Sequence, residues 1–216
     1  VKVEYIDHMG DDLRIANVAR VSFANWNDKF TTREDKAKGS DEGLLSFLAR
    51  ENHWSPYAHA VVQLRMKAPV PIRTQCFKSK QGFVENEESR RYISSEPELF
   101  IPKHFRSKPD GSIKQGSGGK HERSEFWMDK YINKCDEAIE LYSGMIEDGV
   151  APEQARFILP QGTYVNWIWT GSLAAFARFY KLRQHSTAQG EVQDLADEVG
   201  KVIQPLFPYA WKELTK

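Results

Sequence analysis

The sequence predicts a mixed α+β fold organised as a single domain, residues 1–216. Three observations predict it. Stretches that alternate apolar and polar residues mark strands near the start of the chain, before Pro69 and after Gly162. Long stretches with helical spacing lie between and after them, the clearest from Ser124 to Glu147. No internal repeat and no linker-like run divides the chain into folded halves.

Each element follows in order. Val1 to Ile6 alternates and reads as a strand. Asp11 to Ala19 reads as a short helix ending near Arg20-Val21-Ser22-Phe23. Asn25 to Ser40 is polar and without period, hence a loop. Asp41 to Glu51 is a helix whose apolar face carries Leu44, Leu45, Phe47 and Leu48. His59 to Lys67 sets Val61, Gln63 and Arg65 against Val62, Leu64 and Met66, a strand signal. Pro69 and Pro71 break that strand, and Pro71 suits the first turn of a helix through Phe77. Lys103 to Arg123 is rich in Gly, Ser and Lys and reads as a mobile insertion loop. In the helix from Ser124, the residues Trp127, Tyr131, Cys135, Ala138, Tyr142 and Met145 share one face, and Gly149 stops it. Pro152 opens a short helix through Phe157. Tyr164 to Thr170 is a strand, and Ser172 caps a helix to about Leu182. Ala188 to Gln204 is a helix ended by Pro205 and Pro208, and Ala210 to Leu214 closes the chain.

Composition narrows the function. Lys+Arg and Asp+Glu number 30 each, so the net charge is zero, which counts against a nucleic-acid binder. Hydrophobic residues at 40% and charged residues at 28% fit a packed core rather than disorder. Two cysteines, Cys76 and Cys135, are too few for a disulfide scaffold and read as free thiols in a reducing compartment. No apolar run is long enough for a membrane span, and Val1 to Gly10 lacks a signal-peptide core. The expected location is the cytoplasm, or a host cytoplasm for a viral lineage. The six histidines show no zinc-ligand spacing, and GxSxG, HExxH and EF-hand patterns are missing, so no metal site is expected. Gly118-Gly119-Lys120 lacks the upstream glycine of a phosphate loop, and His121 stands where Ser or Thr would hold magnesium.

Three polar blocks remain. Arg73-Thr74-Gln75-Cys76-Phe77-Lys78-Ser79-Lys80 precedes Asn86-Glu87-Glu88-Ser89-Arg90-Arg91-Tyr92, with Gly82 permitting a tight turn between them. Arg156 stands beside the apolar Phe157-Ile158-Leu159-Pro160. Arg183 falls at a helix end, where a cation complements the dipole, and Gln189 and Glu191 are consistent with capping of the next helix. Cations with hydroxyls suit a phosphate; a carboxylate and an amide suit a sugar or base edge. The blocks point to one composite anionic-ligand site, and a set of solvated charged turns is the alternative reading of the same residues.

Together the blocks resemble the flavin-dependent thymidylate synthase (ThyX) family. His53-Trp54-Ser55-Pro56-Tyr57-Ala58-His59 is similar to the family's H-x-[ST]-P-[FY]-x-H segment. Gln75 to Tyr92 is similar to its Arg-His-Arg signature and the Ser-x-Asn-Glu-x-Ser-x-Arg-Tyr run that follows. Ala155-Arg156-Phe157-Ile158-Leu159-Pro160 resembles its AR-x-x-LP segment, and Leu182-Arg183 with Ala188-Gln189 and Glu191 its LR-x-x-x-x-AQ-x-E segment.

The resemblance implies a central antiparallel sheet flanked by helices, and reductive methylation of dUMP to dTMP. The carbon comes from methylenetetrahydrofolate and the hydride from FAD reduced by NADPH, with no cysteine nucleophile. It also implies a homotetramer with shared active sites, without nucleic-acid or membrane partners. By the same resemblance Arg183 binds the uracil and helps ionise its N3, and Arg183 and Ser89 are the catalytic positions. Gln75, Lys78, Glu87, Ser89, Arg90, Arg91, Arg156 and Arg183 bind dUMP. His53, Ser55, Lys78, Ser79, Lys80, Glu87, Ser172 and Arg178 face FAD. The departures gather on the cofactor side. Lys78-Ser79-Lys80 replaces Arg-His-Arg, keeping charge but losing the planar fork and the imidazole. The following spacer is one residue longer, and Ser172 and Arg178 replace two asparagines. Two alternatives follow: altered one-carbon transfer to a pyrimidine nucleotide, such as hydroxymethylation, or a non-catalytic nucleotide-binding protein.

Overall fold

The computed structural model describes residues 1–109, 111 and 116–216. Strand β1 (Lys2–Met9) leads into α1 (Asp12–Arg20), whose N-cap Asp11 accepts from the Arg14 N–H at 2.7 Å. A 3-10 turn at Val21–Phe23 and the expected irregular stretch precede α2 (Asp41–Arg50), which Ser40 caps. The one-turn α3 (Ser55–Ala58) then feeds β2 (Val61–Pro69). α4 (Val70–Cys76) follows directly, with Pro71 in its first turn as expected. β3 (Phe83–Glu87), α5 (Ser124–Glu147) and α6 (Pro152–Ala155) come next, then a 3-10 turn over Arg156–Ile158. β4 (Tyr164–Ser172), α7 (Leu173–Gln184), α8 (Gly190–Ile203) and α9 (Pro208–Leu214) complete the chain.

The four strands form one antiparallel sheet in the order β1-β2-β4-β3, the α+β arrangement the resemblance implies. Alternation decides its faces. Val62, Leu64, Met66 and Ala68 of β2, with Trp167 and Trp169 of β4, point to one side and are buried. There Trp169 stacks on Phe83 (centroids 4.1 Å) and meets Phe176 and Phe179 of α7 edge-on at 5.4 and 5.0 Å. Val192, Leu195, Ala196, Val199 and Ile203 give α8 a continuous buried stripe in the same core. Burying each such side chain contributes about 1.5–3 kcal/mol, so this face holds the sheet to α7 and α8.

The structure corrects three expectations. β2 runs on to Pro69, which pairs with Tyr164 at the strand's last position. β3 was unexpected: of its five residues only Phe83 is buried, so its alternation is weak and pairing with β4 makes it a strand. Trp127 is 48% exposed in the first turn of α5, although Tyr131, Cys135, Ala138, Tyr142 and Met145 do face inward. The stretch from Lys103 to Arg123 includes residues outside the described set. Its described ends pair across an Arg106–Lys120 bridge, with Ser107 N–H donating to Gly119 O at 2.9 Å and Gly118 N–H to Ser107 O at 2.9 Å. Among the described residues, no helix is long and apolar enough to cross a membrane, and no group of His, Cys, Asp or Glu suits a metal.

Two buried carboxylates lock the helical layer. Asp12 accepts from the N–H groups of Tyr209 and Ala210 at 2.9 and 2.8 Å, capping α9 from across the fold. Asp41 is fully buried and pairs with Arg20. It also accepts from the Thr31 N–H (2.8 Å), the Thr31 hydroxyl (2.7 Å) and Asn27 (3.2 Å), which ties the irregular stretch to α1 and α2.

Candidate active site

The short helix α4 is the pivot of the polar residues. Its start is tied to β4 by Val70 N–H to Thr163 O at 3.1 Å. Residues two apart on a helix face away from each other, so Arg73 and Gln75 serve opposite sides.

On the Arg73 side, Glu87, Ser89, Arg90 and Arg156 line a cavity of about 350 Å³ with Leu159 and Pro160. β3 delivers Glu87, and the chain continues along β4 through Glu88 N–H to Asn166 O at 2.9 Å. Arg73 Nε lies 2.8 Å from Glu87 Oε2, and Arg73 also stacks over Phe77 at 5.4 Å. Burial pushes the Glu87 carboxyl up from its ordinary value, with Arg73 opposing and Glu85 and Glu88 reinforcing the rise. Ser89 opens a turn, accepting the Tyr92 N–H at 2.9 Å on its carbonyl and the Arg91 N–H at 3.3 Å on its hydroxyl. Arg91 pairs with Glu153 at 3.4 Å. Arg156 Nε donates to Glu153 O at 3.3 Å, and Arg90 donates to Ser95 O. Three arginines and a hydroxyl around one cavity form an anion-binding arrangement.

On the other side, Arg183 at the end of α7 donates from Nη2 to the Gln75 carbonyl at 2.6 Å. That carbonyl belongs to the last turn of α4, so the guanidinium complements two helix C-termini at once. Its buried Nε has no partner among the described residues. Gln75 Nε2 donates to Gln189 Oε1 at 2.7 Å, and Gln189 Nε2 donates to Glu191 Oε2 at 2.9 Å. Gln189 occupies the N-cap of α8, but its side chain makes no cap bond and serves this chain instead, against the capping expectation. Arg106 closes the series with a fork onto both Glu191 oxygens, at 2.8 and 2.7 Å. Arg106 falls in the stretch whose sequence reads as a mobile insertion loop; only the tertiary contact reveals it. Cys76 lies buried beside Arg183 and Arg73. Burial pushes its thiol up to about 12, so it stays protonated near neutrality and offers no thiolate nucleophile.

A third feature runs along α7 from its N-cap, Ser172, to Leu182. A cavity of about 1200 Å³ is lined by Asn52, Trp54, Gln81, Gly82, Ser172, Arg178 and their neighbours. Ala174, Ala177, Arg178 and Lys181 share one face of α7 by their spacing and give the groove a floor of small side chains with cations at its edge. Gly82 adopts φ +84°, and a Cβ there would lie 2.9 Å from that of Ala175. The turn therefore needs glycine both for its conformation and for its close approach to α7. Arg178 donates to the Gln81 side chain at 3.2 Å and to its carbonyl, pinning this turn. Ser172 Oγ accepts the Ala175 N–H at 3.2 Å, capping α7 as expected. His53 and Ser55 are exposed beside Asn52 and Trp54. Lys78 is exposed; Lys80 pairs with Glu85 and lies 5.3 Å over the Phe77 ring. A cavity of about 1200 Å³ lined by small side chains, Trp54 and the cations Arg50, Arg178 and Lys181 can take a dinucleotide with planar rings, so the residues present suit FAD.

The predicted residues thus fall into three groups. Arg183 and Gln75 stand together, as do Glu87, Ser89, Arg90 and Arg156. Ser172 and Arg178 line the groove. The first two groups do not share one cavity: Gln75 and Arg183 are not among the residues that line the Arg156 cavity, and the Gln75 and Arg73 side chains leave α4 in different directions.

The chain is similar to known proteins. The family model described as thymidylate synthase complementing protein matches residues 4–209. The flavin-dependent thymidylate synthase of Thermus thermophilus is 31% identical over 209 residues, 97% of this chain and 73% of that protein. That of Thermotoga neapolitana is 30% identical over 214 residues, 99% of this chain and 90% of that protein. Among solved structures, the UMP/dUMP methylase PolB from Streptomyces cacaoi, bound with 5-Br dUMP, superposes with a TM-score of 0.86. It is 27% identical and covers 99% of this chain and 94% of its own.

Proposed function

The chain belongs to the thymidylate synthase complementing protein family, the flavin-dependent thymidylate synthases, and from that premise we propose how its residues divide the methylation of dUMP. It is an enzyme of that family. The observation that carries the assignment of roles is the Arg183 guanidinium, fixed by Gln75 O at 2.6 Å between two helix C-termini with its Nε unpartnered among the described residues.

Arg183 sits beside the uracil as a cation whose position is set before substrate arrives. Negative charge builds on the ring as C5 becomes nucleophilic, and a preorganised guanidinium stabilises it without reorganising. Gln75 binds the nucleotide next to it. Arg156, Arg90, Arg91 and the Ser89 hydroxyl take the phosphate, with Lys78 adding charge, and the Glu87 carboxyl accepts a sugar hydroxyl. Methylenetetrahydrofolate supplies the carbon. FAD, when bound and reduced by NADPH, supplies the hydride that converts the transferred methylene to a methyl group. His53, Ser55, Ser79, Lys80, Ser172 and Arg178 would hold it beside α7, where Ser172 and Arg178 line the groove. The two nucleotide-binding groups flank α4 from opposite sides, which supports a homotetramer in which each site draws them from different copies.

An absorption spectrum of the purified protein with added FAD, titrated with dUMP, tests this reading. A bound-flavin spectrum that shifts with dUMP is expected, with labelled folate yielding dTMP. Failure to retain flavin in excess FAD would overturn it. A product heavier than dTMP by one oxygen would favour hydroxymethylation, the reading suggested by the missing imidazole at Ser79.

A further inference from the structure

Arg106 lies far from every motif of the nucleotide site in sequence, yet it is the anchored end of a directional hydrogen-bond chain that finishes there. Its guanidinium is satisfied on three sides: Nε donates to Ser117 Oγ at 2.6 Å, and the two terminal nitrogens donate to the two oxygens of Glu191. The fork is three-quarters buried, with side-chain exposures of 27% for Arg106 and 13% for Glu191. Gly190 makes it possible. A Cβ at that position would stand 3.3 Å from Arg106 Nη1, so a larger residue would crowd the guanidinium by a few tenths of an ångström.

The chain has one consistent polarity. An ionised carboxylate only accepts hydrogen bonds. Burial alone would raise the Glu191 carboxyl, but hydrogen bonds from Arg106 and Gln189 outweigh it and hold the group below its ordinary value, so it is ionised near neutrality. Glu191 therefore turns the Gln189 amide with its NH2 inward, at 2.9 Å. The Gln189 oxygen then faces Gln75 and takes the Gln75 NH2 at 2.7 Å. Gln75 keeps its carbonyl oxygen, an acceptor, and one remaining amide N–H to offer a ligand. Without the carboxylate, both glutamines could reverse at little cost.

We propose that Arg106 and Glu191 are positioning residues that fix which way the Gln75 amide faces, so that its carbonyl oxygen recognises a hydrogen-bond donor of the nucleoside, a base N–H or a sugar hydroxyl. This rests on the reading of Gln75 and Arg183 as nucleotide-binding. An outward carbonyl oxygen attracts an N–H or O–H and repels a phosphate oxygen, which the Arg156 group on the far side of α4 is built to take.

The test is equilibrium binding to the full chain, with dUMP, deoxyuridine and inorganic phosphate as separate probes. Glu191→Gln, whose amide can donate as well as accept, is the main variant. It should weaken dUMP and deoxyuridine alike by about tenfold, the size of one neutral hydrogen bond, and leave phosphate binding unchanged. Arg106→Lys, which keeps the charge but loses the fork, should fall between wild type and Arg106→Ala. In turnover the loss should appear in KM for dUMP, with kcat at saturation retained. Wild-type affinity in Glu191→Gln, or equal loss for dUMP and phosphate, would overturn the proposal while leaving the reading of the site intact. A wild-type protein that binds no dUMP would overturn that reading and the proposal with it.

Discussion

Replacing Arg183 separates its two roles by magnitude. In the fold it makes one charged hydrogen bond, to the Gln75 carbonyl at 2.6 Å, and complements the ends of α4 and α7. A hydrogen bond to a charged group is worth about 1.5–3 kcal/mol to stability. For a chain of this size, each kcal/mol moves the melting temperature by about 2–4 °C. Arg183→Ala should therefore lower Tm by roughly 3–12 °C and remain folded at assay temperature. Loss of a preorganised electrostatic group in the transition state costs about 10²–10³ in kcat. The two effects differ in kind, and thermal unfolding by circular dichroism beside a single-turnover assay of dTMP reads both.

Arg183→Lys sharpens the comparison. A lysine keeps the positive charge and can reach one acceptor, but it cannot hold Gln75 O and present a second donor in a fixed plane. Its rate should lie between those of wild type and Arg183→Ala, with a smaller loss of stability. Turnover in folded Arg183→Ala above about a tenth of wild type would refute the electrostatic assignment, since the expected loss is at least about 10².

Three further outcomes follow. Asp41→Ala strips a fully buried carboxylate from Arg20, Thr31 and Asn27, and breaking such a pair costs about 3–5 kcal/mol; a Tm shift under about 2 °C would contradict its role. Gly82→Ala forces a side chain to φ +84° and within 2.9 Å of Ala175, so the turn must move and retained FAD, read as the ratio of visible to 280 nm absorbance, should drop; unchanged retention would remove Gly82 from the groove. Glu191 has its folded value held below the ordinary 4.5, so its stabilisation is present above that pH and is lost as pH falls through the lower folded value; Glu191→Gln should flatten that part of an acid-unfolding profile, and an identical profile would count against the Arg106 fork.

The elements most legible in the sequence are those whose own residues decide them. α5 spans Ser124–Glu147 as its periodicity requires, and Ser172 and Pro71 mark helix starts by chemistry that acts within one turn. β3 was hidden because a five-residue edge strand with one buried side chain takes its structure from its neighbour. The residues proposed to bind the nucleotide stand out in the sequence as a set, through the motifs, but their division does not. Arg73 and Gln75 look adjacent in sequence and are separated by the 200° turn that two helical residues describe. Arg106 was illegible altogether, because its partner Glu191 lies 85 positions away and nothing near it in sequence distinguishes it from a solvated cation.

The division across α4 has a consequence that a mixing experiment can reach. On the proposed assignment, a dUMP molecule meets the Arg156 group at its phosphate and Arg183 at its base. If every site takes Arg183 from one copy and Arg156 from another, two chains each lacking one of them are complementary. In a two-fold symmetric pair made from one Arg183→Ala chain and one Arg156→Ala chain, one site has lost both residues and the other has kept both. Random mixing makes half the pairs hybrid, and half of their sites intact, so about a quarter of wild-type activity should return from two inactive preparations. The mixture must be refolded or co-expressed so that copies exchange. Activity no greater than the average of the two separate variants would mean that each chain closes its own site, and α4 would then have to move for Arg156 and Arg183 to meet one nucleotide.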